Sequence, residues 1–230
     1  MHPLSAVSVV CGLLLLPLLT SSLPGPDTPL PKGGRYIGAA MCKSCHEGAA
    51  KGDQYEHWSK TEHAKAYENL GTDKAKEVGK KHGVDDPQKS EKCLECHVTA
   101  YGLDKKEIKG SFKMELGVQC ESCHGPGEEH QKKRFAEAMK KDAAPSPITA
   151  EEIHAERSMN TCGKCHNEKS PTYKPFCLKE RMEKIEHLDP RKKRTDEELA
   201  KLRATDDPNC KIHPTKDAAA KKDDKKQDGK

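Results

Sequence analysis

Four short stretches constrain this chain more than anything else in it. Cys42-Lys43-Ser44-Cys45-His46, Cys93-Leu94-Glu95-Cys96-His97, Cys120-Glu121-Ser122-Cys123-His124 and Cys162-Gly163-Lys164-Cys165-His166 all read C-x-x-C-H. Two thiols at that spacing can add across the two vinyl groups of one porphyrin. The His that follows then lies under the iron, and the pattern is the attachment signature of c-type haem. Only 12 of the 230 residues are His, yet one follows each of the four pairs. Structural zinc, the competing use of C-x-x-C pairs, asks for no His at that place. The expectation is four c-type haems, attached through Cys42, Cys45, Cys93, Cys96, Cys120, Cys123, Cys162 and Cys165. His46, His97, His124 and His166 are then the proximal iron ligands.

Hydrophobic residues make up 33% of the chain and aromatics 4%, against 34% charged. A globular domain usually holds about 45–50% apolar residues, and without a cofactor this composition leans toward disorder. Four large apolar discs resolve the contradiction by serving as the core. The expected fold class is therefore mainly α, a multihaem cytochrome c with little β structure, and the haem-free chain is not expected to fold. Net charge is +4. Mild basicity of mixed sign suits steering toward acidic redox proteins, one donor and one acceptor. It is too weak to suggest nucleic acid, and no pattern of base-stacking aromatics supports one.

Residues 1–23 read as an export signal with an apolar run from Val7 to Leu19, too short for a confident membrane span. The haem domain is then periplasmic, and membrane association follows only if the leader stays uncleaved. Residues 24–34 are a Pro- and Gly-rich linker, 35–190 the tetrahaem domain, and 191–230 a charged, partly disordered tail. Eight of the eleven cysteines belong to the haem motifs and Cys11 to the leader. Cys177 and Cys210 remain, either as a disulfide of an exported protein or as two unpaired thiols.

The spacing predicts helix over most of Glu47 to Leu70, carrying His63, and a short helix from Thr72 to about Lys81 stopped by Gly83. Phe112, Met114, Leu116 and Val118 alternate as one strand or hairpin would. Gly125-Pro126-Gly127 turns the chain into a helix from Glu128 to Lys141. Thr149 with Glu152, and Thr195 with Glu198, are spaced as capping boxes for two further helices. A helix from about Cys177 to Leu188 carries His187.

The order of motifs resembles the tetrahaem cytochrome c-554 family of ammonia-oxidising bacteria. The residues that carry the likeness are Trp58 to Ala66 with His63, Cys93 to Val98 with Gly102, and above all Gly117-Val118-Gln119-Cys120-Glu121-Ser122-Cys123-His124-Gly125-Pro126-Gly127. The resemblance implies a mostly helical fold with haems packed in close pairs. It implies His63 distal to the fourth haem, His130 distal to the first, and an open sixth position on the second haem, held by Cys93 and Cys96 over His97. His187 is the choice for the third haem, with His213 its competitor; His82 could close the second. His57, His82 and His154 otherwise read as solvated, and no Met has the context of an axial ligand.

Two functions follow. The first is electron transfer between redox partners, which the resemblance would run from hydroxylamine or nitrogen-oxide oxidation toward the quinone pool or a terminal acceptor. No catalytic residue is needed for it. The alternative is reduction of nitric oxide or nitrite at the open haem, with Tyr101, His82 or Glu95 near it in sequence as proton donors.

Overall fold

The computed structural model describes residues 32–140, 144, 146–149, 152–153, 159–189, 192–203 and 210. The expected leader, His154, His213 and the chain from 211 onward lie outside the described residues. Among the described residues ten short helices follow one another: α1 (Ala39–His46), α2 (Gln54–Ser59), α3 (Ala66–Asn69), α4 (Asp73–Lys81), α5 (Glu91–His97), α6 (Glu121–His124), α7 (Glu128–Ala138), α8 (Met159–Cys162), α9 (Leu178–Ile185) and α10 (Asp196–Leu202). Among the described residues there is no strand, only an isolated bridge between Tyr36 and Ile108. The fold is mainly α.

Local chemistry sets several of these boundaries. The Thr72 hydroxyl accepts from Ala75 N and starts α4, as an N-cap threonine does. Thr195 and Glu198 close a reciprocal capping box on α10. Three expectations fail for identifiable reasons. The long helix over 47–70 is cut into a 3-10 turn, α2 and α3. Gly48 and Gly52 take positive φ, and Asp53 sits in the left-handed region at φ 51°, so helical hydrogen bonding cannot run through them. The alternating segment 112–118 is no strand. It holds a 3-10 turn, Met114–Leu116, closed by Gly117 at φ +67°. Among the described residues Thr149 and Glu152 cap no helix: Glu152 N bonds Thr149 O across a turn, and its carboxylate is engaged elsewhere.

The apolar interior is small. Leu70, Leu94 and Val98 form one cluster, with Tyr67, Cys93 and Tyr101 against it. Much of the cohesion is polar and centres on the third motif. Gln119, 2% exposed, accepts from Ala39 N with its side-chain oxygen and donates to Lys113 O. Its own N–H donates to Thr99 Oγ1 at 2.7 Å. Glu121 accepts from Ile37 N, Gly38 N and Gly127 N at 2.8–2.9 Å. The run from Gly117 to Gly127 is thus the joint at which the N-terminal segment, the second motif and α7 meet.

Cys177 and Cys210 are joined by a disulfide. The bridge spans 33 positions of sequence, and closing a loop of that size in the unfolded chain is worth about 3–4 kcal/mol in the chain-entropy picture. Reduction should lower the thermal midpoint of the haem-loaded protein by about 10 °C. An unmoved midpoint, with both thiols shown free by mass, would mean that the bridge carries no stability.

Two buried carboxylates predict the acid limb of stability. Arg35 meets Glu128 through Nε at 2.9 Å and Nη2 at 2.8 Å, with Lys109 Nζ at 3.0 Å. Those bonds, Arg35 first, hold Glu128 far below the usual carboxylate range. Arg134 foremost holds Glu152 down to about 2. Unfolded, both return to about 4.3. Their contribution is complete above that value and is lost as pH falls from it toward 2. Burial pushes Glu121 the other way, so its ionisation weakens the fold as pH rises above its unfolded value. The midpoint should therefore drop steeply between pH 4 and pH 2. A midpoint unchanged over that interval would contradict the assignment.

Candidate functional site

Each C-x-x-C-H lies on or beside a helix end. Motif one fills the end of α1 and motif two the end of α5, with His46 and His97 as last helical residues. His124 ends α6, before Gly125 at φ +75°. His166 follows α8 in a turn that keeps its N–H on Cys162 O at 2.9 Å. The eight motif cysteines are all free of disulfides, and so available for thioether bonds.

The structure brings three of these histidines against the three residues expected to face them. His46 and His130 have ring centroids 6.2 Å apart, His63 and His166 6.0 Å, and His124 and His187 5.9 Å. Two imidazoles facing one iron from opposite sides, each nitrogen about 2 Å from the metal, place their centroids roughly 6 Å apart. The donor sets and spacing fit haem iron. His57, read as solvated, is exposed on α2, yet its ring lies 6.0 Å from that of His187. No ring partner accompanies His97 among the described residues; His82 is exposed at the end of α4. Tyr101 and Cys93 both pack against the apolar cluster, and Glu95 is exposed.

The outer ring nitrogens are held as well. His97 Nδ1 meets Ala66 O at 2.7 Å and His187 Nδ1 meets Ile185 O at 2.8 Å. A carbonyl only accepts, so Nδ1 carries the hydrogen there and Nε2 is left for a metal. His46 Nδ1 lies 3.4 Å from Gln54 Oε1. His130 Nδ1 meets Glu152 Oε1 at 2.7 Å. Burial pushes His63 and His166 below the ordinary imidazole value, which favours the neutral ring that ligation needs.

His63 sits in a tight turn after α2, not in a helix. Its carbonyl accepts from Val118 N at 2.9 Å and Ala66 N at 3.1 Å, while Trp58 Nε1 donates to Val118 O at 2.9 Å. A Cβ on Gly117 would come 2.9 Å from His63 O, so the glycine lets two backbones approach and fixes the ring's position. Phe176 meets the His166 ring edge-on at 5.2 Å, one residue before the Cys177 bridge. Phe176 and Glu152 carry no local signal: both act on residues distant in sequence.

The attachment cysteines also lie near one another between motifs. Cys42 hydrogen-bonds Cys120, and that bond, ahead of burial, pushes the Cys42 thiol up in the bare chain. Cys96 and Cys165 share a hydrogen bond, and Cys123 interacts with Cys162. The motifs thus adjoin in the order one, three, four, two.

Residues 41–125 match the family model described as cytochrome c554 and c-prime. The chain is 29% identical to cytochrome c-554 of Nitrosomonas europaea over 176 residues, 70% of this chain and 68% of that protein. No solved structure matches the chain. The resemblance read from Trp58 to Ala66 and Gly117 to Gly127 stands.

Proposed function

Starting from a chain similar to the cytochrome c554 and c-prime family, we propose that this protein is a periplasmic tetrahaem cytochrome passing electrons between two redox proteins. Electron transfer by a c-type cytochrome is the part that the family match supports directly. The single observation that carries the multihaem reading is the set of three histidine pairs about 6 Å apart, each joining a motif His to a residue outside the motifs.

Bound at the four motifs, c-type haems would supply one-electron carriers whose potentials depend on axial ligands, burial and hydrogen bonds. The chain's own residues do the positioning. His130, His63 and His187 stand opposite His46, His166 and His124. Ala66 O and Ile185 O keep the ring hydrogens of His97 and His187 on Nδ1, which keeps Nε2 aimed outward. Motif cysteines near one another in the bare chain support four attachment sites in one continuous row. By the resemblance the His97 site is the open position, and no described ring lies opposite it. The mixed, mildly basic surface favours acidic partners. By likeness to its relatives, the direction is from nitrogen-compound oxidation toward the quinone pool or a terminal acceptor.

The test is low-temperature electron paramagnetic resonance on the oxidised protein, with haem counted by pyridine haemochrome. Four haems, three low-spin and one high-spin, are expected. A colourless protein would end the proposal. Four haems with reduction of nitrite or nitric oxide far faster than free haem would replace it by the reductase reading at the His97 site.

A further inference from the structure

His130 differs from His46, His97 and His187 in what its Nδ1 meets. His46, His97 and His187 face neutral oxygens through Nδ1. His130 faces a carboxylate, Glu152 Oε1, at 2.7 Å. Glu152 is 6% exposed and comes from a turn 22 residues further along. Two cations meet the same carboxylate. Lys133 Nζ is 2.8 Å from Oε2, and Arg134 Nε is 2.6 Å from Oε1, with its Nη2 also on Oε2. Arg134 is itself held by Glu137 and Ser146 O.

An ionised carboxylate can only accept, so His130 Nδ1 donates and Nε2 keeps its lone pair. A carboxylate on Nδ1–H draws the hydrogen and makes the opposite nitrogen a stronger donor. A stronger, more anionic donor favours ferric over ferrous iron and lowers the potential, since hydrogen bonding around the axial ligand is one of the levers that set it. The cations work against this by drawing charge off the carboxylate. We infer that Glu152 is a positioning residue that orients His130 and lowers the potential of the haem between His46 and His130, with Arg134 and Lys133 limiting how far. This rests on the proposed ligation of that haem. Reduction adds one electron at the iron, supplied by the redox donor, and the Nδ1 hydrogen stays on the ring.

The experiment is a potentiometric titration of the haem-loaded full chain, followed haem by haem by electron paramagnetic resonance. Glu152→Gln should raise one midpoint of the four by about a tenfold change in its reduced-to-oxidised ratio, about 59 mV for a one-electron couple. Arg134→Gln should lower the same midpoint, and Lys133→Gln, at a half-exposed side chain, should lower it less. A residue that merely braces the loop would shift all variants the same way. Shifts of one sign, or none, overturn the inference. If Glu152→Gln fails to mature, the two cation variants decide, and an unmoved midpoint in both overturns it. His130→Ala separates the premise. If no haem changes spin state in that variant, the ligation reading has failed. If one iron opens while Glu152→Gln moves nothing, only the role of Glu152 has.

Discussion

Replacing His63 with alanine should convert one haem in four from low to high spin and leave it covalently attached. The turn that carries His63 is held by its backbone. Val118 N and Ala66 N donate to the His63 carbonyl, and Trp58 Nε1 closes on Val118 O. None of these bonds uses the imidazole. Removing the ring therefore takes away the group 6.0 Å from His166 without dismantling the turn, and Cys162 and Cys165 still bind the porphyrin. Mass spectrometry should find four haems, and electron paramagnetic resonance should show two high-spin irons where the parent has one. His82→Ala, at an exposed site, should change neither. If His63→Ala left the spin distribution untouched, the spacing between His63 and His166 would be ordinary ring packing and the axial assignment would fall.

Glu121→Ala should cost about 3–5 kcal/mol. Three buried backbone donors, on Ile37, Gly38 and Gly127, converge on that carboxylate, and each one left unsatisfied costs about 1–3 kcal/mol. The loss is a large part of a stability of about 5–15 kcal/mol and should lower the thermal midpoint by about 10 °C or more. Glu121→Gln should do less harm. Oε1 takes two of the donors and Oε2 takes Gly38 N alone. An amide oriented to keep the first two sets its NH2 against the third. The order Ala worse than Gln, with Gln measurably below the parent, is the expected outcome. Midpoints within about 2 °C of the parent for both would show that water replaces the carboxylate, and the third motif would not be the joint described.

What could be read from sequence follows from how local each interaction is. The C-x-x-C-H runs state their chemistry within five residues. Thr72 and the Thr195–Glu198 box act within one turn, and the structure has both caps. Thr149–Glu152 has the same spacing and misleads, because Arg134, Lys133 and His130 offer Glu152 more than a lone backbone N–H does. Nothing near Glu152 in sequence announces those partners. The helix expected over 47–70 fails on backbone conformations at Gly48, Gly52 and Asp53 that helix propensity does not weigh. The alternation over 112–118 points to a strand through Val118. Its N–H does pair, but with His63 across a turn. The pairing of His63 with His166, and of His130 with His46, was legible only through likeness to a family, since no local pattern joins residues so far apart.

The adjacency of Cys42 with Cys120, Cys123 with Cys162 and Cys96 with Cys165 has a consequence for how such a chain matures. A chain emerging N-terminus first presents the two ends of the row before its middle. After two motifs it holds a pair of sites with nothing between them, and the third extends only one side. On the proposed four-haem loading, electrical continuity arrives in a single step, when the last-made motif closes the gap. A product truncated before Cys162 would be coloured and loaded with three haems, yet divided into two isolated islands.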